Sequence, residues 1–142
     1  MGSNLLSQQS DKLQSLFSFI HDFGYSLSKS EMINEEEFKL TYFNEKSGKE
    51  IYISLCDSIN TQRFFIVIAI IRHPYLSVHD FVSFKIYLDK NGIKHPGVLE
   101  FTEKSIDKAE SYIKTYADLF KEYGIILIES KDQFPGYFPE WT

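Results

Sequence analysis

The chain has 142 residues, 43% of them hydrophobic and 16% aromatic, with a net charge of −5 and a single cysteine. That is the length of one domain, which buries roughly 70% of its unfolded surface on folding. One cysteine excludes an internal disulfide framework, and an isoelectric point near 5.3 argues against the basic footprint of a nucleic-acid binder.

The N-terminus has no basic stretch followed by an apolar run, so no signal peptide is expected. Residues 1–4 are expected to be disordered or an expression remnant. Leu13, Leu16, Phe17, Ile20 and Phe23 recur at helical spacing and predict an amphipathic helix over about 5–22, stopped by Gly24. A polar, acidic connector holding Glu31, Glu35, Glu36 and Glu37 is expected next. The period then changes to two. Phe38, Leu40 and Tyr42 alternate with Lys39, Thr41 and Phe43, and Ile51, Ile53 and Leu55 alternate with Tyr52, Ser54 and Cys56. These strands are joined by a short hairpin connection, Glu45–Lys49, in which Gly48 can take positive φ. A third strand, Phe64–Arg72, completes an antiparallel meander. It is apolar on both faces, so either helices and the tail cover both, which is the expectation taken here, or one face is left for a partner.

Ser77-Val78-His79-Asp80 has the form of a capping box, with Leu76 and Phe81 placed for a hydrophobic staple. It predicts a second helix over about 78–90, stopped at Asn91-Gly92. A loop follows at His95-Pro96-Gly97. Thr102 is the expected N-cap of a third helix, striped by Ile106, Ala109, Ile113, Tyr116, Ala117 and Phe120 and ended by Gly124. Ile125–Ile128 is expected to run on as a short strand or turn. The tail holds four aromatics, Phe134, Tyr137, Phe138 and Trp141, which either dock on the domain or form a binding epitope. The predicted fold is therefore a single α+β domain over 1–142, in the order α-β-β-β-α-α, with a sheet of three or more strands.

Chemistry leaves no comparable signature. There is no phosphate-cradling glycine pattern, no Cys-x-x-Cys, no His-Glu-x-x-His and no Gly-x-Ser-x-Gly. Cys56 could act as a nucleophile only if His73 or His79 came beside it, and a structural thiol is the simpler expectation. His73, His79 and Asp80 as metal ligands, or His21 with Asp22, are better read as surface and capping residues. No enzyme activity, cofactor or metal is expected. The longest apolar run, Phe64 to Ile71, has eight residues, against about 20 for a membrane helix, so a soluble, cytoplasmic protein is expected.

The helix ending in Phe23-Gly24-Tyr25, the strands Phe38–Phe43 and Ile51–Cys56, and the closing run Phe120-Lys121-Glu122-Tyr123-Gly124-Ile125-Ile126-Leu127 together give the chain its layout. In that layout it resembles small bacterial toxin-immunity proteins, including those of contact-dependent growth inhibition systems. The resemblance implies a cytoplasmic protein that occludes a toxin nuclease, with no direct nucleic-acid or membrane contact. Charge is consistent with a basic partner at the ends of the chain, where residues 1–37 and 100–142 each sum to −4, while 38–99 sum to +3. The expected partner-binding residues are Glu31, Glu35, Glu36, Glu37, Glu103, Asp107, Glu110, Tyr137, Phe138 and Trp141. The competing expectation is an adaptor or chaperone-like domain that binds through an exposed strand face.

Overall fold

The computed structural model describes residues 4–58, 60–100, 106–131 and 133–134. The first helix, α1 (Asn4–Leu16), begins where expected, and its continuation Ser18–Phe23 winds as a tighter 3-10 turn. Leu6, Leu13, Phe17 and Ile20 form its buried stripe. Gly24 ends it as predicted, in the left-handed conformation at φ 89°, with its N–H on the His21 carbonyl at 3.1 Å.

The expected acidic connector is instead largely a strand. β1 (Ser26–Asn34) pairs antiparallel with β2 (Glu37–Asn44), and only Glu35 and Glu36 remain as the turn. The sequence hid β1 because it is an edge strand with eight of its nine residues exposed, so no apolar alternation marks it. Two bulges, at Leu27/Lys29 and Met32/Asn34, disturb its register further. β2, β3 (Lys49–Ser58) and β4 (Arg63–Arg72) form the predicted meander. Its first turn is built by Asn44, whose side-chain oxygen accepts the Lys46 N–H at 2.9 Å, and by Gly48 at φ 73°.

The capping box at Ser77 and Asp80 forms, yet it encloses a single 3-10 turn, Val78–Asp80, rather than opening a long helix. Phe81–Ser83 is then drawn into β5, which pairs with Ala69–Ile71 of β4, and helix α2 is confined to Phe84–Lys90. Leu76 stays 80% exposed, so the staple is not made. A further short strand, β6 (Val98–Glu100), pairs with Arg63–Phe65 of the same β4 edge. In the gap between β5 and β6 the Tyr112 hydroxyl accepts the Ile66 N–H at 3.1 Å. A side chain thus replaces a missing strand partner.

Helix α3 (Ile106–Leu119) passes through a π turn, Phe120–Gly124, into α4 (Ile125–Glu129), so Gly124 is not a stop. Thr102 lies outside the described residues. The protein is α+β, with six strands among the described residues, in the order β1-β2-β3-β4-β5 and β6 also on β4. One face of the sheet, including Leu40, Tyr42, Ile51, Ile53, Leu55, Phe64, Ile66, Ile68 and Ile70, shares a single core with buried side chains of α1, α2, α3 and α4. No described helix is long and apolar enough to cross a membrane.

Candidate protein-binding face

Period two places the intervening residues of β2, β3 and β4 on the second face of the sheet, and the register groups them in rows. Phe43, Glu50, Ile71 and Phe81 form one row, and Thr41, Tyr52, Ala69 and Ser83 the next. Lys39, Ser54 and Val67 follow, then Glu37, Cys56, Phe65 and Val98. Thr41 and Ser54 are buried between larger neighbours. The apolar members of the face are half-buried or exposed, with Val67 40% exposed at its centre. The expected cover on both faces of β4 is therefore only partly met among the described residues: the buried side chains of the helices all join the first-face core, and on the second face only Lys85 of α2 reaches over, its ammonium 5.6 Å from the centre of the Phe65 ring.

Polar groups on this face are tied to one another. The Lys39 ammonium lies 4.3 Å from the centre of the Tyr52 ring, a cation–π contact. The Tyr52 hydroxyl donates to Glu50 at 2.7 Å, and Glu50 also pairs with His73. Burial, followed by Glu50 as acceptor and charge, pushes the Tyr52 hydroxyl up to about 12.

The Cys56 thiol is pushed up to about 11, by burial first and then by the Glu37 and Glu36 charges, with Lys85 opposing. That is the opposite of what an activated nucleophile needs. Neither histidine serves it: His73 is held by Glu50, and His79 bonds the Phe134 carbonyl at 3.0 Å. Among the described residues no three His, Cys, Asp or Glu side chains converge as metal ligands would.

At one end of the face, the β4–β5 connection presents Tyr75, Leu76 and Val78 to solvent, Tyr75 being 53% exposed. The connection is rigid because the buried Asp80 carboxylate accepts the N–H groups of Leu76 and Ser77, both at 3.0 Å. Behind it, Phe134 is buried, with its N–H on the His79 carbonyl at 2.9 Å and its ring 5.5 Å from the Lys49 ammonium. The start of the aromatic tail is thus docked on the domain. Tyr137, Phe138 and Trp141 lie outside the described residues. The chain matches no family model, no curated protein and no solved structure.

The acidic candidates separate into two groups. Glu31, Glu35, Glu36 and Glu37 share the β1–β2 hairpin, where Glu37 starts the row that runs on to Phe65 and Val98. Glu110 is half-buried on α3, in the helical layer. Glu103 and the side chain of Asp107 lie outside the described residues. Sequence reasoning did not single out Phe43, Tyr52, Phe65, Val67 and Ile71 as site residues, although the two-faced apolarity of β4 was the available signal.

Two polar clusters elsewhere hold the frame. Asp89 bonds His95 at 2.7 Å and His95 bonds the Tyr116 hydroxyl at 2.6 Å. That hydroxyl accepts the Gly97 N–H at 2.7 Å, fixing the loop before β6. Lys85 donates to the Gly97 carbonyl at 3.0 Å. Beside the β2–β3 turn, the Lys49 ammonium, 2% exposed as a residue, donates to the carbonyls of Leu127 at 3.1 Å, Ile128 at 3.3 Å and Ser130. It therefore satisfies the C-terminal carbonyls that α4 cannot bond itself. Burial, then the Arg72 charge, lowers its pKa to about 8. The adjoining cleft of about 520 Å³ is lined by Lys46, Lys49, Arg72, Glu129 and Lys131 among others. Because all three donors of Lys49 are engaged, its role is structural. Lys49→Met is expected to cost about 2 kcal/mol by orphaning these carbonyls, measurable as a lower urea midpoint with an unchanged slope.

Proposed function

We propose that the protein is a non-enzymatic binding domain of the toxin-immunity kind, which engages a basic toxin domain with the second face of its sheet. The observation that carries this reading is a sheet face that no described helix packs upon beyond the reach of Lys85, with Val67 and Val98 exposed among half-buried Phe43, Phe65 and Ile71, bordered by a loop of exposed Tyr75, Leu76 and Val78. Monomeric proteins seldom leave large contiguous apolar surface in water unless something docks there. The acidic hairpin next to the Glu37–Cys56–Phe65 row supplies the charge that would steer a cationic partner, while the apolar centre supplies the affinity.

The test is co-expression with the proteins encoded by neighbouring reading frames, followed by affinity measurement on the purified pair. Val67→Arg places a charge on an exposed site and is expected to weaken the complex by about a hundredfold or more while leaving the thermal midpoint nearly unchanged. Glu35→Lys is expected to slow association and flatten its salt dependence, with little effect on dissociation. Capture of several unrelated partners, each insensitive to both changes, would replace the immunity reading with the adaptor one.

A further inference from the structure

The edge strand β1 carries a self-complementary pattern. Two antiparallel copies of one strand can pair only when opposed residues have numbers of even sum, because both must turn the same way relative to the partner. About a two-fold axis at Ser30, Lys29 faces Glu31 of the second copy and Glu31 faces its Lys29. Moving the axis to Lys29 or to Glu31 sets like charges directly against each other. Only the Ser30 register turns this charge pattern into attraction.

The structure keeps this edge ready. Lys29, Ser30, Glu31 and Met32 form the regular segment between the two bulges and pair with Thr41, Leu40, Lys39 and Phe38 on the inner side. All four are exposed, and no described strand lies on the outer side of β1. The cross-strand neighbour of Glu31 is Lys39, whose ammonium is turned over the Tyr52 ring at 4.3 Å. Glu31 and Lys29 therefore hold no ion pair among the described residues. Natural edges are often blunted by lysine and bulges against chance pairing. Here the lysine is matched by an acid two residues on, which cancels the repulsion in one register alone.

We infer that β1 joins β1 of a second copy in an antiparallel, two-fold dimer centred on Ser30, making one continuous sheet across both protomers. This inference goes beyond the binding role above and does not depend on it: the second face of each protomer is left free.

Sedimentation velocity on the full-length protein over a wide concentration range tests it. The wild type is expected to dimerise reversibly, with an affinity that falls as salt rises. Lys29→Glu or Glu31→Lys alone turns two attractive pairs into two repulsive ones and is expected to weaken dimerisation by at least about tenfold. The double variant Lys29→Glu/Glu31→Lys restores opposite charges in the same register and should regain most of the affinity, which a merely structural role would not explain. A second readout on the unaltered chain is amide exchange, in which protection over residues 28–32 should rise with protein concentration. A monomer at every concentration overturns the inference. So does a dimer indifferent to both single changes, or a double variant that fails to recover.

Discussion

Between pH 10 and pH 12 the protein is expected to lose stability, because three buried tyrosines must stay protonated in the native state: Tyr25, Tyr42 and Tyr116 are each raised from 10.0 to about 12, with burial the leading cause. Burial pushes Tyr112 upward as well. A raised acid pKa means that the unfolded chain loses its proton first. Stability is therefore intact below the unfolded value and is lost as pH climbs toward the folded one. Each of the three costs on the order of 2–3 kcal/mol across that window, a sizeable share of the roughly 5–15 kcal/mol that holds a domain folded. Lys49 and Lys85 act in the opposite sense. Each is lowered to about 8 chiefly by burial, so the unfolded chain keeps the proton longer and stability rises between about 8 and 10.5. The expected profile climbs from pH 8, turns near 10 and falls above it, which denaturant melts at stepped pH would trace. Tyr42→Phe separates the terms. The Tyr42 hydroxyl is buried with no hydrogen-bond partner among the described residues, so its removal should leave neutral-pH stability equal or higher and, with Tyr52 and Tyr112 raised as well, reduce the alkaline slope by about a fifth. An unchanged slope would mean that Tyr42 does not take part.

Gly124→Ala is expected to destabilise the domain by about 2–3 kcal/mol. A Cβ at this position would fall on the Phe120 ring, with Cε1 only 2.6 Å away. That ring cannot yield, because it is fully buried with its centre 6.1 Å from Phe17, 6.3 Å from Phe19 and 5.0 Å from Phe84. The glycine is present for space and not for positive φ, since the helix runs through it. An exposed glycine in the same helix would gain about 0.5–1 kcal/mol from alanine, so the sign of the effect is itself diagnostic. A double-mutant cycle with Phe120→Leu should show strong coupling, as the smaller side chain admits the new methyl. Additive losses would place the strain elsewhere.

What the sequence determined by itself was whatever local period and turn chemistry can encode. The stripe Leu13, Phe17 and Ile20 made α1, the alternation in Phe38–Phe43, Ile51–Cys56 and Phe64–Arg72 made the meander, and Gly24 and Gly48 marked the ends that need positive φ. Those signals were sufficient for the α+β class. Tertiary structure decided the rest, because it depended on partners distant in the chain. Exposed β1 is a strand only because β2 offers it an edge, and Phe81–Ser83 leaves a helical pattern because β4 has unpaired backbone beside it. Gly124 reads as a helix stop until Phe120 is seen folded against it. The candidate binding face shows the same division. The apolarity of β4 on both sides was written in the chain, but which side the helices would cover was settled only when Phe17, Phe84, Ile113 and Phe120 packed together on one of them.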